Sequence, residues 1–154
     1  MQLELIRSIT DLRVPALAFA NARSLTRQIH LHVGPTNSGK THGALVTLSR
    51  ARTGMYAGPL RLLAHEVWER MNQGTISPGI PPRACNLRTG EEVRTVDEYA
   101  GLVSCTVEMA DVTRPYDVAV IDEIQMIADP QRGFAWTHAC LLYTSDAADE
   151  GLGV

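Results

Sequence analysis

Eight consecutive residues, Gly34-Pro35-Thr36-Asn37-Ser38-Gly39-Lys40-Thr41, put two glycines, a lysine and a hydroxyl at the fixed positions of the pattern GxxxxGK[ST]. Phosphate chemistry sets a task for each of those types. Glycines let successive backbone N–H groups close around phosphate oxygens, and a helix beginning near Gly39 turns the positive end of its dipole to the same anion. Lys40 reaches the β- and γ-phosphates of a nucleoside triphosphate, and the Thr41 hydroxyl ligates Mg²⁺. Lys40 is also the only lysine, the other 13 basic residues all being arginine. The run reads as a P-loop that binds ATP, with Lys40 serving the chemistry and Thr41 the metal.

A P-loop needs acids beside it, one to hold Mg²⁺ through water and one to handle the attacking nucleophile. Asp122 and Glu123 directly follow the apolar run Val118-Ala119-Val120-Ile121, where a buried strand would end next to the loop. Asp122 is assigned to the metal, and Glu123 to orienting or deprotonating the lytic water. The competing reading is an acidic pair that opens the following helix, since carboxylates favour helix N-termini.

Positioning these groups falls to a βαβ unit. Ile29, Leu31 and Val33 alternate with His30 and His32 before Gly34, which predicts a strand entering a turn. Thr41 to Arg52 predicts a helix with Ala44, Leu45 and Leu48 on one side, and Met55-Tyr56-Ala57 a second strand ending in Gly58-Pro59. A second helix is expected over about Arg61 to Asn72 with Leu62, Leu63, Val67 and Met71 inward, then a surface loop through Gly74, Pro78, Gly79, Pro81 and Pro82. A short run at Cys85 to Thr89 and strands at Leu102 to Val107 and Val118 to Ile121 complete an α/β domain with a mostly parallel sheet.

Composition bounds the rest. With 154 residues and 45% hydrophobic content the chain suits one domain with a proper core, which excludes general disorder, and charged residues interrupt every apolar run before it reaches membrane-spanning length. The balance of 14 basic against 17 acidic residues leaves no overall basic excess, so any nucleic-acid contact must be local. Three cysteines, Cys85, Cys105 and Cys140, form no CxxC pair, which argues against structural zinc and against a disulfide framework. His30 and His32 share a period of two but define no metal constellation. Residues 1–28 read as a lead-in and 29–139 as the domain. Residues 140–154 resemble the translation of a sequencing adapter and are expected to be non-native.

Asp122-Glu123-Ile124-Gln125 resembles the DExQ form of the helicase Walker B box, and Pro59-Leu60-Arg61-Leu62-Leu63-Ala64 is similar to superfamily-two motif Ia. Together with GPTNSGKT, Thr89-Gly90-Glu91-Glu92, Ser104 to Met109 and Ala119 to Trp136, these blocks resemble the mitochondrial degradosome RNA helicases of the suppressor-of-var type over about residues 10 to 139. The resemblance implies a RecA-like first motor domain that uses ATP and Mg²⁺ to unwind RNA in mitochondria beside a partner exoribonuclease. It implies that Gln125 couples the nucleotide to a second domain, and that Pro59, Leu60, Arg61, Thr89, Gly90 and Thr106 form the RNA-backbone track. The chain departs from the family at Ala57, where cysteine is common and the change is harmless, and at Arg88, a usually uncharged position beside Thr89 and Gly90 of the implied RNA track. The family's pattern is not found after Trp136, so the chain is expected to be a truncated motor that binds without stepping. Two alternatives remain at this level. A thymidine-type nucleoside kinase shares the GPxxSGKT loop and DExQ box but needs CxxC pairs and has no use for Pro59 to Ala64, and a non-catalytic nucleotide-binding remnant is the other.

Overall fold

The computed structural model describes residues 27–35 and 39–142. The expectations for residues 1–26, for Thr36, Asn37 and Ser38, and for the tail beyond 142 lie outside the described residues. The core strand, β1 (Gly54–Gly58), is buried at all five positions, as a strand covered on both faces must be. Around it, β2 (Cys85–Arg88), β3 (Val93–Arg94), β4 (Leu102–Thr106) and β5 (Val118–Ile121) complete a five-stranded sheet in the order β3-β2-β4-β1-β5. β2, β4, β1 and β5 run parallel and only β3 is antiparallel. The predicted α/β class is the one observed.

Helices close both faces. α1 (Lys40–Arg50) opens on Gly39, whose φ of 79° lies in the left-handed region that glycine adopts without penalty, and buries Leu45 and Leu48. It ends two residues before the expected Arg52. There the guanidinium of Arg83 donates to the carbonyls of Ser49 at 2.7 Å and Ala51 at 2.8 Å, satisfying groups a helix end leaves open. α2 (Arg61–Gln73) buries Ala64, Val67 and Met71 and stops at Gly74, whose N–H caps the carbonyls of Arg70 and Met71. Leu62 does not face inward as predicted but is 74% exposed. At roughly 100° per residue it lies about 200° from Ala64, on the opposite side of the helix, and Leu63 falls on the flank. Tyr56, Leu45, Leu48, Val67 and Met71 share the core under α1 and α2.

The other face is covered by α3 (Gly133–Leu142), which buries Ala135, Trp136 and Ala139 against Met55, Ala57 and Cys105. Glu123 does not open an α-helix. A 3₁₀ segment, Ile124–Ala128, follows it, and α3 starts only at Gly133 and runs through the boundary expected at Ala139. A second 3₁₀ turn, Val107–Met109, ends the strand expected to reach Val107.

The predicted strand at Ile29, Leu31 and Val33 is not formed: residues 27–34 have no regular structure, and those three side chains are 83%, 69% and 81% exposed. Alternation describes a segment suited to a half-buried surface, but a strand also needs a ladder partner. This segment has none among the described residues.

Candidate functional site

Chain direction brings the two groups of residues expected to handle a nucleotide to one end of the sheet. α1 leads into β1 through three residues and returns antiparallel to it, so Lys40 and Thr41 at its start lie toward the carboxyl ends of β1 and β5. Asp122 and Glu123 leave β5 at that same end. Gly34, Pro35, Gly39 and Lys40 line one open cavity of about 600 Å³, and the Lys40 ammonium donates to the Gly34 carbonyl at 3.2 Å. The lysine thus reaches back to the glycine that opens the run it is expected to serve.

Asp122 is held at every polar atom it has. Its N–H donates to the Ala57 carbonyl at 2.9 Å, adding one rung beyond β5. Carboxylate Oδ2 accepts from the Tyr56 hydroxyl at 2.8 Å, and Oδ1 from the Glu123 N–H at 3.0 Å. Its carbonyl accepts from Trp136 Nε1 at 2.9 Å. Burial, then the Asp122 charge and the hydrogen bond to it, push the Tyr56 phenol far above its usual value, so the hydroxyl stays a donor. Glu123 has φ 54°, the only positive φ of a non-glycine among the described residues, and its carboxylate accepts from the Gln125 amide. Left-handed backbone at such a residue costs roughly 1–2 kcal/mol.

The Asp122 carboxylate and the Thr41 hydroxyl are hard oxygen donors, the kind Mg²⁺ takes when phosphate oxygens and water complete its shell. Among the described residues no group of three or more His, Cys, Asp or Glu could hold a metal ion.

The residues assigned to RNA lie along the same end. Register pairs Gly58 with Thr106 and Arg88 with Cys105, so the exits of β2, β4 and β1 stand side by side, with β5 next. At roughly 4.8 Å between strands the track from Thr89 to Pro59 spans about 10 Å, and the acids lie one strand further on. Leu60 and Arg61 are exposed, and Arg61 pairs with the Glu91 carboxylate. Thr89 is buried, its hydroxyl accepting from the N–H groups of Glu91 at 3.3 Å and Glu92 at 3.1 Å, so it shapes the turn that presents the exposed Gly90. Thr106 is 9% exposed.

Three side chains that sequence reasoning did not single out tie these segments together. Arg132 donates from Nη2 to the Pro59 carbonyl and to Glu108 Oε1, each at 2.7 Å, and from Nε to Glu108 at 2.8 Å. Its guanidinium also stacks 5.3 Å from the ring centre of Trp136, the donor to Asp122. Arg132, Glu108 and Trp136 thus bolt the segment after β1 to the acids after β5. The signal available in sequence was an arginine and a tryptophan one helical turn apart, which has no unique reading.

A mostly parallel sheet with helices on both faces, and with the start of α1 and the Asp122-Glu123 pair toward its carboxyl end, is the architecture of a RecA-like domain. Comparison with known families narrows this class. The model of the DEXQ-box helicase domain of Suv3 matches residues 15–148, and the chain belongs to that family. It is 53% identical over 139 residues to the human mitochondrial ATP-dependent RNA helicase SUPV3L1, covering 88% of this chain and 17% of the relative. It is 51% identical over 144 residues to the Drosophila melanogaster mitochondrial SUV3 homologue and 53% over 135 residues to Candida albicans SUV3, spanning 18% of each. The family match runs through Pro59 to Ala64, the segment for which a nucleoside kinase has no use. Among the described residues no helix is long and apolar enough to cross a membrane.

Proposed function

We propose that this protein is an ATP-dependent RNA helicase acting in mitochondrial RNA turnover, and that residues 29–139 form most of its first motor domain. ATP·Mg²⁺ binds Gly34 to Thr41, with Lys40 on the β- and γ-phosphates. Thr41 and Asp122 serve the metal and Glu123 the lytic water, while Gln125 reports the state of the nucleotide to a second motor domain. The RNA backbone lies across Pro59, Leu60, Arg61, Gly90 and Thr106, with Thr89 shaping the turn. The observation that carries this reading is the adjacency of the exits of β1 and β5, which sets the candidate RNA track one strand from the Asp122-Glu123 pair. An exoribonuclease partner for the product strand belongs to the same proposal.

Lys40 allows a direct test because it is the chain's only lysine. Amine-directed labelling should mark Lys40 and the N-terminus, and ATP·Mg²⁺ should protect Lys40 alone. Lys40→Ala should weaken ATP binding by removing the charge between the phosphates. Equal labelling of Lys40 with and without saturating nucleotide would overturn the assignment.

A further inference from the structure

We propose that Tyr56 is a positioning residue for the Asp122 carboxylate, and that position 58 is glycine to leave room for its ring. The inference rests on the reading of Asp122 as the metal-serving acid. Tyr56 is 1% exposed, in the middle of β1, and packs in the core shared with Leu45 and Leu48 of α1. As hydrophobic filling, a phenylalanine would serve equally well. What the hydroxyl adds is a donor aimed at Oδ2 of Asp122 at 2.8 Å, while the Glu123 N–H takes Oδ1 at 3.0 Å. One donor on each oxygen fixes the plane of the carboxylate. Each oxygen has a second lone-pair direction, which stays available to water on a nucleotide-borne cation.

Gly58 lies two residues on, so it shares a face of β1 with Tyr56. A Cβ placed there would stand 2.8 Å from both Cε1 and the hydroxyl of Tyr56, closer than such atoms approach. The ring is walled in by the core and turns on only two side-chain torsions, so an added methyl group must displace it from its line to Asp122. Backbone flexibility is not the reason for this glycine: Gly58 is not among the residues with positive φ. The last residue of β1, just before the candidate RNA track, therefore also sets the stance of the acid one strand away.

The test compares ATP affinity by calorimetry with and without Mg²⁺ in the full chain, in Tyr56→Phe, in Gly58→Ala and in the double variant. The expected result is unchanged Mg²⁺-free affinity in both single variants, with the gain conferred by Mg²⁺ reduced about tenfold, the weight of one charge-assisted hydrogen bond. In the Tyr56→Phe background, Gly58→Ala should take little more from that gain, because the bond it disturbs is already gone. A thermal midpoint close to wild type identifies the variants as folded. A full Mg²⁺-dependent gain in folded Tyr56→Phe would make the tyrosine a core residue only and overturn the inference. Additive losses in the double variant would overturn the role given to Gly58. A wild-type chain that gains nothing from Mg²⁺, or whose gain survives Asp122→Asn, would overturn the metal-site reading itself, a separate failure.

Discussion

The acid pair shows how much a single backbone torsion can carry. Glu123 sits at φ 54° because the chain must leave β5 and enter a 3₁₀ turn while Asp122 stays on the ladder with Ala57. Glycine at this position would relieve the strain, so Glu123→Gly should stabilise the fold by about 1 kcal/mol in urea titration while removing the group assigned to water. A destabilised variant would show that the Gln125 contact outweighs the strain. The thiols give a second residue-scale expectation. Burial pushes Cys85 and Cys105 from 9.0 up to about 12. Below the unfolded value of 9.0 both states hold the proton. Above it the unfolded chain loses it first, so this contribution to stability should fall from pH 9 toward 12. Denaturation midpoints that stay flat across that window would contradict the burial. Cys140, less buried and raised by desolvation against an opposing Arg27, should be the first thiol to react with a disulfide reagent at pH 8.

At the scale of elements, α3 does two tasks with one side chain: Trp136 fills the core at 0% exposure and holds the Asp122 carbonyl. Trp136→Ala should therefore cost roughly 3–5 kcal/mol, as large-to-small changes of buried aromatics do. Arg132→Ala should cost less, near 1 kcal/mol, since the side chain is 37% exposed and water replaces part of what is lost. Thermal unfolding distinguishes the two, and a larger loss for Arg132→Ala would make it a structural keystone. These elements also mark what a sequence can disclose. The candidate P-loop and acids can be proposed from sequence because their chemistry confines particular residue types to short contiguous runs. Tyr56, Arg132 and Trp136 act through contacts 66, 73 and 14 residues away, and no local pattern announces them. Leu62 departs from the inward face expected of it for a simpler reason: with apolar residues at 60, 62, 63 and 64, only the packed structure shows that Ala64 lies on the stripe of Val67 and Met71. The alternation at Ile29 to Val33 was legible as well, but ladder pairing is decided by other parts of the chain.

For the molecule as a whole, the chain spans 17 to 18% of the length of the curated relatives it matches. In P-loop motors an arginine supplied across a closing interface is worth about 10³ to 10⁵ in rate. A polypeptide of these 154 residues is therefore expected to bind ATP but turn it over slowly, without stimulation by RNA. A steady-state ATPase assay decides this, and RNA-stimulated turnover by this polypeptide would show that one sheet suffices. RNA binding should be weak and fall steeply with salt, because the net charge is −3 and only local contacts are available. Arg61→Ala should lower it further, though the Glu91 pairing already competes for that guanidinium.

Trp136 also makes the protein its own optical gauge. The chain has two tryptophans, and Trp68 is the other, on α2 beside Arg94 and His65. In Trp68→Phe all indole emission would come from one ring, sealed from water and hydrogen-bonded to the peptide between the two acids. Its spectrum should lie to the blue of exposed tryptophan and shift when that peptide turns. Rapid mixing with nucleotide would then time the movement of the acids, with no dye attached and no product formed.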